Sequence, residues 1–253
     1  MHPTRPLLAL ALATLPAFAG AQELPDPRQL IDRYLEAIGG AEALRGNMDA
    51  SAMVSMVIAE NGMRGDMQIH VRGDDLATSM TFNGMEIRTG LLDGLGWAID
   101  PMNGPRLLDG AELEDMRRNV DPDVASFSDR AIASLQTVAL ADSEGRPCHR
   151  VEIEWKSGVN TAACFGVDDG LMLYTESISV SPMGEVRQVV HLHDYKPLGK
   201  VLGPSRMRGS LMGMTQVMTI EDYRLGSPPD EVFALPPAIL ALRGAQPAGQ
   251  SAE

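Results

Sequence analysis

Two histidines stand two apart in His191-Leu192-His193. On a strand, that spacing puts both imidazoles on one face, an arrangement that zinc sites use and that a metal-assisted hydrolase would need. Val190 and Leu192 are apolar and form the opposite face, so the imidazoles point to the outer, wet side. Asp194 is adjacent, but no third ligand is evident nearby. Two surface histidines are the plainer reading. His70 and His149 are lone and fall among polar neighbours. The acidic group Glu112, Glu114 and Asp115 alternates around a helix and reads as a solvated face. There is no Gly-x-Ser-x-Gly elbow, no His-Glu-x-x-His, no phosphate loop and no dinucleotide fingerprint. The chain is therefore expected not to be an enzyme and to use no cofactor.

Methionine carries the other candidate chemistry. The chain holds 16, counting Met1. Unbranched thioether side chains repack around guests of variable shape, so a methionine-rich face makes a compliant cavity. An ordinary sheet core that favours Met is the alternative. A third reading is Cu(I) held by Met212, Met214 and Met218. A turn at Met212-Gly213 separates Met212 from the other two and weighs against it.

The turns set where these side chains lie. Asn61-Gly62 and Asn83-Gly84 are strong hairpin signals, because both turn residues must take φ > 0. Gly73-Asp74 reads as a third tight turn. Counting outward as two-residue loops places Glu60 opposite Met63, Met56 opposite Met67, Met67 opposite Met80, and Met80 opposite Ile87. Neighbouring rows are Val54/Ile69, Val71/Leu76/Leu91 and Phe82/Met85. The same counting sets Leu211 opposite Met214 and Met207 opposite Met218. The expected lining is thus Val54, Met56, Met67, Ile69, Met80, Phe82, Met85, Ile87, Met207 and Met218. Arg64, Asp66, Gln68, His70, Arg72 and Glu86 take the other face.

The surrounding elements follow from the same kind of signal. Asp26-Pro27 opens a helix as N-cap and first residue; Leu30, Ile31, Tyr34, Leu35 and Ile38 form its apolar face, and Gly39-Gly40 stops it. A short turn covers 41–44. Strands are expected near 51–60, 63–72, 75–82, 85–92 and 95–99, then a turn-rich 100–105. Two helices follow, over 109–118 and 123–135, the second with Val124, Phe127, Ala131, Ile132 and Leu135 on one side. Strands resume near 137–142, 147–155, 160–167, 171–180, 185–194, 204–211 and 214–223, with a turn at Ser181-Pro182-Met183-Gly184. So long an antiparallel meander cannot stay flat. It is expected to curl into a barrel or half-barrel with the helices on its open concave side. The end after Pro237 is rich in Ala, Gly and Gln and is expected to fray.

The N-terminus adds a compartment. Arg5, the apolar run Leu7 to Leu15 and the small residues of Ala17-Phe18-Ala19 and Ala19-Gly20-Ala21 read as a secretory signal peptide over 1–21. One domain over 22–238 and a flexible tail over 239–253 account for the rest. Removing 1–21 takes away Arg5 alone, so 21 basic residues become 20 against 34 acidic, and the net charge of −13 becomes −14. That balance argues against nucleic acid and anionic lipid surfaces, but not against a lipid inside a cavity. An exported chain favours pairing of Cys148 with Cys164. A three-residue loop at 156–158 puts them on one face, offset by two residues, which is wide for a disulfide unless a bulge intervenes; two separately buried thiols are the alternative.

Several short landmarks resemble one group of exported proteins. These are Tyr34-Leu35-Glu36-Ala37-Ile38-Gly39-Gly40 with Ala43-Leu44-Arg45-Gly46, and Asp93-Gly94 with Gly96-Trp97 and Pro101 with Gly104. Asp194-Tyr195-Lys196 with Gly199 and Pro204, and Pro228-Pro229-Asp230-Glu231-Val232-Phe233-Ala234-Leu235-Pro236, complete them. Together they resemble the LolA/LolB-like lipoprotein-carrier superfamily. The resemblance implies a curved antiparallel sheet, an incomplete barrel plugged by helices. It also implies a periplasmic carrier of lipid or lipoprotein acyl chains, with an inner-membrane lipid exporter or outer-membrane acceptor as partners. Val124, Phe127, Ile132 and Leu135 would form the lid. The competing expectation is an interaction module with a solid core that acts on an envelope transporter or enzyme.

Overall fold

The computed structural model describes residues 23–181, 184–211 and 213–245. The expected signal peptide, the Pro182-Met183 turn, Met212 and residues 246–253 lie outside them. Thirteen antiparallel strands form one sheet that does not close. The first meander is β1 (Ala50–Ile58), β2 (Arg64–Arg72), β3 (Asp75–Phe82), β4 (Met85–Leu92), β5 (Leu95–Asp100) and β6 (Gly104–Leu107). The second is β7 (Ile132–Ser143), β8 (Arg146–Trp155), β9 (Asn160–Gly166), β10 (Met172–Ser181), β11 (Gly184–Leu198), β12 (Val201–Leu211) and β13 (Met214–Leu225). They meet where the first strand pairs with the last, β1 with β13, which leaves β6 and β7 as the two outer edges.

Helices cover one side, here called the inner face. Helix α1 (Pro27–Ala37) starts as its sequence requires, with the Asp26 carboxylate accepting from the N–H groups of Arg28 and Gln29. Its buried face, Leu30, Ile31 and Tyr34, packs with Phe127, Val151, Ile153, Trp155 and Phe165 into the principal core. Tyr34, Phe127, Trp155 and Phe165 form a cluster of edge-on and tilted contacts, with 5.6–6.2 Å between the centroids of touching rings. A short α2 (Ala41–Arg45) follows α1. Helices α3 (Gly110–Val120) and α4 (Pro122–Ala125) lie in the connection from edge β6 to edge β7.

Three expectations are corrected here. The helix over 123–135 ends at Ala125; Phe127 takes φ 50°, and Ile132 and Leu135 belong to β7. The apolar spacing was still informative, because Val124, Phe127, Ala131, Ile132 and Leu135 all join the core that α1 packs on. A helical period and a turn followed by a strand had delivered the same side chains to one place. Gly104 and Pro105, the end of the segment 100–105 read as turn, begin the strand β6. Of the end expected to fray after Pro237, the described part forms helix α5 (Pro237–Ala245), which packs near β6 with Ile239 fully buried, while 246–253 lie outside the described residues. Proline at its first position and the Ala, Ile, Leu and Arg that follow are good helix starters and formers, whatever the composition further on. The segment from Pro228 to α5 clamps the outer face of β2–β6. Phe233 is buried under the Arg72 guanidinium, 4.3 Å away. Trp97 lies on Gly90, where a Cβ would come within 2.6 Å of the indole.

A second, smaller core sits on the outer face of β8–β10. Cys148 and Cys164 form a disulfide there, both fully buried, with Leu173 and Tyr174. Cys148 pairs with Gly166 and Cys164 with Arg150, so the two are offset by two residues as counted. Their Cα atoms are nonetheless 5.5 Å apart with no bulge between them. The twist of the sheet shortens one diagonal across the ladder, and the disulfide uses it. Replacing both cysteines by serine is expected to lower stability by about 3 kcal/mol, the loop-closure value for some 15 residues, as measured by urea unfolding.

Candidate functional site

The inner faces of β1–β4, β12 and β13 make an apolar trough beside the principal core. Register fixes its rows. One runs Leu192, Met207, Met218, Met56, Gly65, Phe82, Met85, each residue the direct partner of the next. The next runs Ile220, Val54, Met67, Met80, Ile87. A third contains Ile69 opposite Thr78, whose hydroxyl is 2.7 Å from that of Thr89. Leu192 also packs against the principal core, so trough and core share one continuous surface.

All ten expected lining residues lie on this face, but the first hairpin is in a different register. Met56 pairs with Gly65 rather than Met67, and Val54 with Met67 rather than Ile69. Asn61-Gly62 does sit in the turn, inside a loop of five residues between Ile58 and Arg64. The cause is Glu60, which leaves the hairpin. Its carboxylate accepts from the N–H of Thr215 at 2.9 and 3.0 Å, and Ala59 donates to the carbonyl of Thr215 at 2.9 Å. These backbone and side-chain hydrogen bonds hold the Glu60 carboxyl below its usual pKa. The slip is by two residues, an even number, so no side chain changed face. The other counted pairs, Met67/Met80, Met80/Ile87, Phe82/Met85 and Met207/Met218, stand as counted.

Coverage of the trough is uneven. At the end near the β2–β3 and β4–β5 turns, α3 lies on the strands. A Cβ on Gly96 would come within 2.6 Å of Leu113 Cδ1, and Leu91 and Val120 are each 2% exposed. Arg106 on β6 holds α3 through a bidentate pair with Glu112 at 2.7 and 3.1 Å, and Arg117 donates to the carbonyl of Gly94 at 3.0 Å. A hollow of about 400 Å³ opens there, lined by Asp74, Leu91, Gly94, Arg117, Val120 and Asp121. Toward the opposite end the cover stops. Val54 and Met56 are buried; Met67, Ile69, Met80, Phe82, Ile87, Met207 and Met218 are half-buried; Met85 is 48% exposed. The element that covers this end of the trough is α3, whereas the segment with Val124, Phe127, Ile132 and Leu135 packs into the principal core. Leu113, Val120 and the Arg106–Glu112 pair were not singled out in the sequence. The apolar residues of α3 are outnumbered by charges, and its anchor joins residues whose contact depends on how the insertion folds back.

His191 and His193 face away from the trough. Ser143 Oγ lies 2.9 Å from His191 Nδ1, and Glu144 Oε2 lies 3.1 Å from His193 Nε2. These contacts show the tip of the β7–β8 hairpin reaching across the outer face to β11. Among the described residues no group of three His, Cys, Asp or Glu is placed to hold a metal ion. Nor is any helix among them long and apolar enough to cross a membrane.

No protein-family model matches the chain, and no curated protein matches it in sequence. Solved structures do. A DUF1329 family protein from Desulfovibrio piger is similar over 83% of this chain and 98% of its own, at 14% identity and a TM-score of 0.54. A LolA superfamily protein from Nitrosomonas europaea is similar over 83% and 97%, at 13% identity and a TM-score of 0.50. The chain has a LolA-like fold. The open sheet with helices on its inner face, expected from the sequence landmarks, is that fold. At these identities the likeness concerns architecture alone, so the trough of this LolA-like sheet is described by its own residues.

Burial holds His70 and His191 below the ordinary imidazole pKa. His193 is held down too, by burial and by the charge of Arg206, although the charge of Asp194 pulls the other way. A depressed pKa means that the unfolded chain binds the proton first, so stability is present above the unfolded pKa and falls as pH drops below it. The midpoint of thermal unfolding is expected to fall between about pH 7.5 and about pH 6, and the slope to flatten in a His70→Gln/His191→Gln variant.

Proposed function

We propose that the protein is a non-catalytic carrier or sensor of the cell envelope that holds the acyl chain of a lipid or lipoprotein in this trough. One observation carries the reading: a face of Met, Ile, Val and Phe side chains, continuous with the core, is left half-covered along most of its length. A monomer gains by covering such a surface, and a flexible chain of methylenes fits a methionine lining better than a rigid guest does. Burial of about 14 methylenes yields roughly 11 kcal/mol before costs, enough to take a lipid and too much to release it unaided. Helix α3, held by a few polar anchors over one end of the trough, is the element whose movement changes that balance. The LolA-like fold and the exported character of the N-terminal sequence support a periplasmic setting. An inner-membrane lipid exporter or an outer-membrane acceptor would be the partner in exchange.

Native mass spectrometry of the protein isolated from the periplasm is expected to show an acyl-lipid adduct, and purified protein to take up a fluorescent fatty acid. Because Met67 is half-buried, Met67→Asp should stay folded while losing affinity for the probe by about tenfold or more, since a carboxylate in an acyl slot costs at least about 1.4 kcal/mol. A protein that takes up no fatty acid and carries no lipid from the cell overturns the reading.

A further inference from the structure

Three methionines on three adjacent strands are consecutive partners: Met207 on β12 faces Met218 on β13, and Met218 faces Met56 on β1. The geometry points to a second ligand of the trough, a soft monovalent metal ion, Cu(I), held by these three thioether sulfurs. Directly opposed residues bring their Cβ atoms to about 4.5–5.5 Å. Three rotatable bonds let each sulfur lean the remaining distance toward its neighbours. Gly65, the next residue in the row beyond Met56, has no side chain to hold Met56 away.

The surroundings select the metal. Met56 is 9% exposed, the other two are half-buried, and Leu192, Val54, Ile58 and Ile220 flank them together with one neutral amide, Gln216, so the row offers sulfur and hydrocarbon and no charged or imidazole donor. Neutral thioethers without imidazole, carboxylate or thiolate favour Cu(I) over divalent ions, which demand harder or charged donors. The chain has no competing thiol, because Cys148 and Cys164 are joined and buried. His191 and His193 are on the opposite face. Three ligands leave one position open toward the trough, through which the ion enters and leaves.

This assignment does not rest on lipid binding, because Cu(I) uptake is read directly and not through a lipid probe. Leucine keeps the volume and hydrophobicity of the lining and removes only the sulfur. The test is titration of the intact protein with Cu(I) under ascorbate, against a chromophoric Cu(I) chelator, with X-ray absorption of the loaded protein. Wild type is expected to take up one Cu(I) with sulfur-only ligands. Met56→Leu/Met207→Leu/Met218→Leu is expected to lose that uptake while its circular dichroism and thermal unfolding midpoint persist. The control Met67→Leu/Met80→Leu, in the adjacent row, is expected to bind Cu(I) as wild type does. No uptake by wild type, nitrogen or oxygen ligands in the absorption spectrum, or uptake that survives the triple substitution or follows the control instead overturns the proposal.

Discussion

The pairing of β1 with β13 is the constraint on which the rest of the structure depends. Each meander taken alone has a free first or last strand. Joining them there makes one sheet of thirteen strands and sends β6 and β7 to opposite edges. The chain must then travel from one edge to the other, and the insertion carrying α3 and α4 makes that journey across the inner face. The helical cover is thus a consequence of strand order. The junction also contains a bulge, where Met53 pairs with Asp222 and Val54 with Ile220, leaving Glu221 extra. Because of it Ile220, beside Val54, and Tyr223, beside Ala52, both face inward although they are three residues apart.

The two sides of the sheet are filled by different parts of the chain. In the second meander, α1 and the residues around Phe127 fill the inner side and the disulfide cluster fills the outer. In the first, the C-terminal segment clamps the outer side at Phe233 and Ile239, and only α3 covers the inner. The aromatic cluster is confined to the helix-covered half, while methionines dominate the half that is left open. Rigid rings suit a core whose partners are fixed, and thioether chains suit a surface whose partner changes.

How much of this was legible depends on how local each signal is. Two-residue turns such as Asn83-Gly84 and Gly73-Asp74 carry their own geometry, so the pairs they set were readable by counting. The first hairpin looked the same but slipped, because Glu60 answers to Thr215, 155 residues away. The apolar pattern of 124–135 identified core residues correctly and misassigned their backbone, since several backbones satisfy one set of buried positions. β6 is four residues long and contains Pro105, too short to show alternation.

The trough shows the same division between local and distant causes. Met207 and Met218 were paired by their own hairpin, and Met67 and Met80 by theirs. That Met56 stands beside Met218 follows only from β1–β13, a contact between the two ends of the fold. A single row of sulfurs therefore exists because the sheet closes its two halves at that seam in one register. A slip of two residues there would leave every side chain on its face and the trough equally apolar, yet would separate Met56 from Met218. Hydrophobic lining tolerates such a slip and a coordination site does not. The register of this one seam is thus where a face that is merely apolar differs from a face with a defined site.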